Sequence, residues 1–336
     1  MFYWAILSNR ALVIMPKADV PFEAVFDSKY INWTDDGARA ASPASRFIDL
    51  RFAEWMADDA SDVFEALHAR NLTEIYADTP ILDIALGAPL FHVIFTNPHH
   101  RAQLFTWGLS PETAFGCALN YLFMPNLRLR TRFADEFARL ADGAVLKIGI
   151  HARFGDAVFL GNSTDKANAV FDDKHLAHIF HCAQEIEDLK AVAEQEVLWY
   201  VVSDAEQFRH YAIRRFGNKV YARTNESIVN LEVWNPERSQ EWRPDHDISL
   251  DSKVHAFEMV VAEYWLYAMA DFHVMALPFG PPTPQYATSS FSNGAASASL
   301  RWGSATYVGA ADSGDGTPCV RGLHRAQETW GDPDSV

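Results

Sequence analysis

The residues best suited to chemistry lie between Val145 and Asp156, VLKIGIHARFGD, where an apolar run stops on His151 and Arg153. Val145, Leu146, Ile148 and Ile150 make a segment of strand length, and Gly149 leaves room for a second backbone or a ligand. The charged pair therefore sits at the C-terminal end of a strand. In open α/β sheets ligands bind at that end, because the loops face a crevice and the following helix N-termini present free N–H groups. Arg153 offers a planar fork of donors suited to a phosphate, and Gly155 lets the loop approach it. Taken alone, the same string also reads as a surface loop with an ion pair between Arg153 and Asp156.

Two more segments bring polar groups to comparable positions. Val197–Val202, VLWYVV, is a continuous apolar run of the kind buried in a parallel sheet; it stops at Ser203 and Asp204, which open a helix from Ala205 to Phe216. Gly217 and Asn218 close that helix before a strand at Val220–Ala222. This βαβ unit puts Ser203 and Asp204 at the same sheet edge as His151 and Arg153. Further on, Leu250–Ala270 reads as one long helix, followed by Asp271 and the strand FHVMAL. The turn PFGPPTPQ then leads to Ser289, Ser290, Phe291, Ser292, Asn293 and Gly294, which could bind an anion at a helix start or serve as an ordinary serine N-cap.

The elements that must position these groups are clearer in the second half than in the first. A helix is predicted over 172–195, a last strand over Thr306–Val308, and a loose tail over 312–336. In the first half the pattern gives a helix end or strand from Phe2 with a turn at Ser8–Arg10, a strand ALVIM, and a polar loop over 34–46. Moderate helix patterns follow at 47–57 and 63–69, then a strand FHVIF at 91–95, a helix at Pro111–Tyr121 capped by Ser110, and an amphipathic helix at Arg132–Leu140. The domain boundary is placed near Ala141-Asp142-Gly143, giving domains 1–142 and 143–311.

The 336 residues, 49% hydrophobic, can bury a substantial core, and 28 basic against 44 acidic residues give a net charge of -16 that opposes general binding to nucleic acid or anionic membrane. Cys117, Cys182 and Cys319 are widely spaced and suggest neither a disulfide framework nor a zinc site, so buried thiols are expected. No apolar run has the length of a membrane helix, and MFYWAILSNRALVIM lacks the basic start of a signal peptide. Sequons at Asn32, Asn71, Asn162 and Asn225 are compatible with a luminal chain. Asp245-His246-Asp247 follows Arg243-Pro244 in a polar connection, so it reads as a solvated loop and no metal site is expected. Trp33, Trp55 and Trp107 read as core rather than sugar-stacking residues, and His99-His100 as an exposed turn.

In order and spacing, HARFGD, VVSDAE, and MADFHVMAL with SSFSNGA resemble the three motifs of the GDP-fucose-dependent fucosyltransferases. That superfamily includes α1,2-, α1,6- and protein O-fucosyltransferases and the plant xyloglucan enzymes. LSNRALVI and LNYLFMPN are similar to its plant and algal branch, whereas Phe154 stands where many relatives carry a second arginine. The resemblance implies a GT-B-like α/β fold of two Rossmann-like domains, the C-terminal one binding the nucleotide sugar. It implies metal-independent, inverting transfer of fucose from GDP-fucose, with no cofactor, to a glycan or glycoprotein hydroxyl. By the same resemblance Arg153 holds the β-phosphate and His151 and Gly155 shape the nucleotide site. Ser203, Asp204 and Asp271 line the cleft, Glu263 reads guanine, and Ser289, Ser290, Phe291 and Ser292 donate to the phosphates. Asp156 is either the general base or an anchor of its own loop. The Golgi or ER lumen is the implied compartment, although this chain shows no anchor and a cytoplasmic or truncated protein is also open. A non-catalytic, nucleotide- or glycan-binding relative is the alternative; a Rossmann oxidoreductase is disfavoured because no strand is followed by G-x-G-x-x-G.

Overall fold

Segments that read as apolar runs in the second half pair in parallel into one sheet, while the described residues of the first half form short helices and two-stranded pairs. The computed structural model describes residues 2–14, 20–34, 45–50, 67–86, 94–152, 173–224, 232–235, 241–244, 248–276, 305–309 and 319–321. The chain divides into two compact units, one of Met1–Pro16 with Phe26–Met124, the other of Lys17–Val25 with Pro125–Val336. The division thus falls at Met124, ahead of the expected boundary at Ala141–Gly143, because the helices after Pro125 pack with the second unit.

The first unit contains α1 (Phe2–Leu7), β1 (Phe26–Ser28), β2 (Ser45–Leu50), β3 (Ile81–Leu86), α2 (Arg101–Thr106), α3 (Pro111–Leu122) and, at its end, β4 (Phe123–Pro125). Ser110 caps α3 in a reciprocal box: its hydroxyl accepts from the Thr113 N–H, and Thr113 Oγ1 accepts from the Ser110 N–H. Trp33 is core, with its indole N–H donating to the Leu122 carbonyl at 2.8 Å, whereas Trp107, also expected in the core, is exposed and Trp55 lies outside the described residues. Residues 45–50 form a strand rather than loop followed by helix, because SRFIDL pairs in parallel with ILDIAL, Ser45 opposite Ile81, and cross-strand pairing overrides a moderate helical pattern. Of the predicted strand FHVIF only Ile94 and Phe95 are among the described residues, and they form a tight turn. Buried Asn97 enforces it by donating to the carbonyls of Leu67 and Arg70. His99 is exposed as expected, but His100 is buried and accepts the Leu72 N–H at 2.8 Å, and burial pushes its pKa down.

The second unit opens with α4 (Leu127–Arg132) and α5 (Ala134–Ala141) and continues through β5 (Leu146–Ala152), α6 (Asp173–Lys190), β6 (Val197–Ser203), α7 (Glu206–Phe216) and β7 (Val220–Ala222). A hairpin of β8 (Glu232–Asn235) and β9 (Glu241–Pro244) precedes α8 (Leu250–Ala268), β10 (Phe272–Ala276), β11 (Ala305–Gly309) and β12 (Cys319–Arg321). Six of these strands form one sheet in the order β12-β11-β10-β5-β6-β7, parallel except for β12. Gly217, at φ 60°, ends α7 in the left-handed region. Residues 319–321 therefore pair at the sheet edge, where sequence composition suggested a loose tail.

The sheet's two faces differ in chemistry. Ile148, Ile150, Trp199, Val201 and Val274 pack with Ile179, Phe180 and Ile186 of α6 and Phe208 and Ala212 of α7 in an apolar core. Cys182 lies in this core and is disulfide-bonded while Cys117 is free, which corrects the expectation of buried thiols; cysteines so far apart in sequence carry no pairing signal. Alternation places Lys147, Gly149 and His151 of β5, Tyr200 of β6 and His273 of β10 on the opposite face. Tyr267 of α8 packs there, against the rings of His151 and His273.

Candidate active site

The C-terminal edge of this sheet is set by register: Ala152 of β5 lies opposite Ser203 of β6 and Ala276 of β10. His151, buried one residue before the edge, stands edge-on to Tyr267 with ring centroids 6.1 Å apart. The Ser203 hydroxyl donates to the Ala152 carbonyl at 2.6 Å and accepts the Ala205 N–H at 3.1 Å, so one side chain fastens two strand ends and starts the next helix. Asp204 follows, half-buried. Of the residues expected here, the structure thus brings together His151, Ser203 and Asp204. Arg153, Gly155, Asp156, Ser289, Ser290, Phe291 and Ser292 lie outside the described residues.

Asp271 departs from the expected convergence. It precedes β10, and in a parallel sheet the residue before a strand lies at the edge opposite to the residue after it. Its carboxylate accepts the Lys147 backbone N–H at 2.9 Å and lies 3.5 Å from the Lys147 ammonium; its own N–H donates to the Lys147 carbonyl. Lys147 Nζ also donates to the Asp142 carbonyl at 2.6 Å. Asp271 is thus a staple of the N-terminal edge, where it closes α8 onto β5.

Glu263 does come to the site edge, but in company. Arg209 of α7 meets its carboxylate in a bidentate pair, Nη2 to Oε2 at 3.0 Å and Nη1 to Oε1. The same guanidinium donates from Nε to the Ser203 carbonyl at 2.8 Å, again to that oxygen from Nη2, and from Nη1 to the Arg223 carbonyl at 3.0 Å. Both residues are buried, at 4% and 8% exposure, which makes this a desolvated pair whose remaining donors are used on strand-end carbonyls. Beneath it the Tyr200 hydroxyl is fully buried and has no hydrogen-bond partner among the described residues. Burial first, and then the Glu263 charge, hold that phenol protonated.

Sequence reasoning passed over Arg209, although a signal was present. The residue sits between Phe208 and Ala212 on the apolar stripe of its helix, as Glu263 sits between Ala262 and Leu266 on the stripe of α8. Opposite charges on the buried faces of two helices imply each other. No group of His, Cys, Asp and Glu that could hold a metal occurs among the described residues. None of the helices searched among them is long and apolar enough to cross a membrane.

No family model matches the chain, and no curated protein matches it by sequence. Solved structures do match in three dimensions. Arabidopsis thaliana FUT1, an arginine-to-lysine mutant in complex with GDP, aligns over 96% of this chain and 69% of its own, at TM-score 0.58 and 13% identity. NodZ α-1,6-fucosyltransferase soaked with GDP-fucose aligns over 95% of this chain and 91% of its own, at TM-score 0.54 and 15% identity. NodZ from Bradyrhizobium aligns in another crystal structure over 88% of this chain and 84% of its own, at TM-score 0.50 and 15% identity. The chain has their GT-B-like α/β fold. At these identities the likeness is one of architecture, and the chemistry has to be argued from the residues.

Proposed function

We propose that this protein is a glycosyltransferase that uses GDP-fucose as donor, transferring fucose with inversion and without a metal to a glycan or protein hydroxyl. The observation that carries the reading is the sheet edge at which β5, β6 and β10 end together, in a fold shared with solved structures described with GDP and GDP-fucose. Sequence places Arg153 directly after Ala152 at that edge. The reading gives Arg153 the β-phosphate, His151 and Asp204 the nucleotide side, and Gly155 the close approach of the loop. Ser203 fixes the edge, and Ser289, Ser290, Phe291 and Ser292 supply hydroxyl and backbone donors to the diphosphate. As the fucosyl C1–O bond breaks, negative charge gathers on the leaving diphosphate. Fixed donors aimed there stabilise the transition state more than the ground state. Asp156 is the base or loop anchor, and Glu263 faces guanine with the oxygen lone pairs that Arg209 leaves. A disulfide at Cys182 fits an oxidising compartment such as the Golgi or ER lumen.

The test is calorimetric titration of GDP into the parent protein and Arg153→Ala, with turnover of GDP-fucose measured alongside. The expected outcome is GDP binding by the parent, and a loss of turnover of about two orders of magnitude in the variant, the usual cost of removing one preorganised donor. Equal GDP affinity in both proteins would remove Arg153 from the donor site and the reading with it. Binding without any turnover would favour a nucleotide-binding relative that has lost the chemistry.

A further inference from the structure

Three backbone carbonyls at the site edge, those of Ala152, Ser203 and Arg223, are each engaged by a side chain donor. Carbonyl oxygens at strand ends carry partial negative charge, which is unfavourable beside a diphosphate. Arg209 covers two of these oxygens and the Ser203 hydroxyl covers the third. The Ser203 backbone, gripped twice by the guanidinium, in turn determines where its hydroxyl meets Ala152, the last residue of β5. Glu263 balances the charge from α8 and fixes the plane of the fork. A chain of contacts thus runs from Glu263 through Arg209 and Ser203 to the peptide carbonyl of Ala152, whose next residue is Arg153.

We propose that Arg209, locked by Glu263, is a positioning residue for the donor site: it sets the end of β5 through Ser203 and removes strand-end carbonyl charge from the path of a nucleoside diphosphate. The inference rests on the donor reading above and adds a residue that never touches the substrate. A pair kept only for stability would be dispensable, because buried ion pairs replaced by apolar residues of similar volume often leave stability unchanged or raised. A positioning pair is not dispensable in that way.

The deciding protein is therefore Arg209→Lys, which leaves the guanine-facing Glu263 in place, keeps the charge and loses the fork; the double variant Arg209→Met/Glu263→Leu, studied beside it and the parent, shows whether the pair is dispensable for folding. The double variant is expected to unfold as cooperatively as the parent, yet to bind GDP about tenfold more weakly and to turn over GDP-fucose about 100-fold more slowly, with kcat falling more than KM rises. Amides of Ala152, Ser203 and Asp204 should exchange with deuterium faster, while those of Ile148 and Ile150 stay protected. Arg209→Lys should show the same pattern in smaller measure, and decides the matter whether or not the double variant folds. Folded Arg209→Lys with parental GDP affinity and parental exchange at Ala152 and Ser203 overturns the proposal. If the parent itself fails to bind GDP, the donor reading falls. The exchange data then still decide whether Arg209 sets the strand end.

Discussion

The two edges of one sheet are each held by an ion pair around a buried cation, and the pairs are built for different ends. At the N-terminal edge Lys147 and Asp271 belong to the strands they join or to the turn beside them; they exchange backbone and side-chain bonds between β5 and the approach to β10, and the Lys147 ammonium also holds the Asp142 carbonyl just ahead of β5. At the C-terminal edge Arg209 and Glu263 come from helices on opposite faces, and the guanidinium reaches around the sheet end to carbonyls of two strand termini. The first arrangement closes a connection locally. The second holds the backbone where the chain leaves β6 and β7, and loops leaving a parallel sheet at this edge are where ligands bind. Charge burial alone does not separate a structural pair from a functional one; what the spare donors hold does.

The sharpest way to break this comparison is Asp271→Ala. Without the carboxylate, the Lys147 ammonium, which is fully buried, loses its counter-charge, and removing one partner of a buried pair costs about 3–5 kcal/mol. Denaturant unfolding should show that loss, while GDP affinity of the folded protein stays within about twofold, a change smaller than one hydrogen bond contributes. A drop in GDP affinity as large as that expected for the Arg209 double variant would return Asp271 to the donor site and erase the distinction between the edges.

His273 lies between the two edges, opposite Gly149 on β5, and tests whether the middle of the polar face is electrostatically silent. Its Nε2 is 2.9 Å from the Tyr267 carbonyl, which fixes the proton on that nitrogen, and Nδ1 has no hydrogen-bond partner among the described residues. Burial lowers its pKa from 6.5 to about 4. Between those values the unfolded chain binds the proton and the folded one does not. Stability from this group is therefore complete above pH 6.5 and is lost as pH falls towards 4, by roughly 3 kcal/mol in all. His273→Gln should flatten the pH dependence of unfolding over that interval without altering GDP affinity at pH 7. An unchanged slope would mean that the imidazole accepts its proton in the folded state.

How much of this was legible in the sequence follows the range of the forces involved. β5, β6, α7 and β7 were readable because continuous apolar strands, a glycine at φ 60° and short connections are local signals. Ser110 was readable as a cap for the same reason. Asp271 is close to the third motif in sequence but not in space, because a parallel strand puts the residues before and after it at opposite ends. β2 and β12 depend on partners that local pattern does not name, and the Cys182 disulfide likewise. Arg209 and Glu263 are 54 residues apart and become meaningful only once two helices are known to flank the same strand end.

The mildest test concerns the layer that joins the edges. A Cβ on Gly149 would stand 2.8 Å from Cε2 and 2.9 Å from Cδ2 of Tyr267 and 3.1 Å from the Ala270 Cβ. Tyr267 cannot swing aside cheaply: its ring lies against His151 and His273, with its hydroxyl 3.3 Å from the Val274 carbonyl. Gly149→Ala must therefore lift the end of α8 from β5, at a cost of about 1–3 kcal/mol for an overpacked contact. Because Glu263 lies one turn earlier on the same helix, the displacement should reach the C-terminal edge as a weakening of GDP binding of about threefold, beyond what the variant's stability explains. Lost stability with parental GDP affinity would show instead that the Arg209 pair holds its edge independently of how α8 sits over the middle of the sheet.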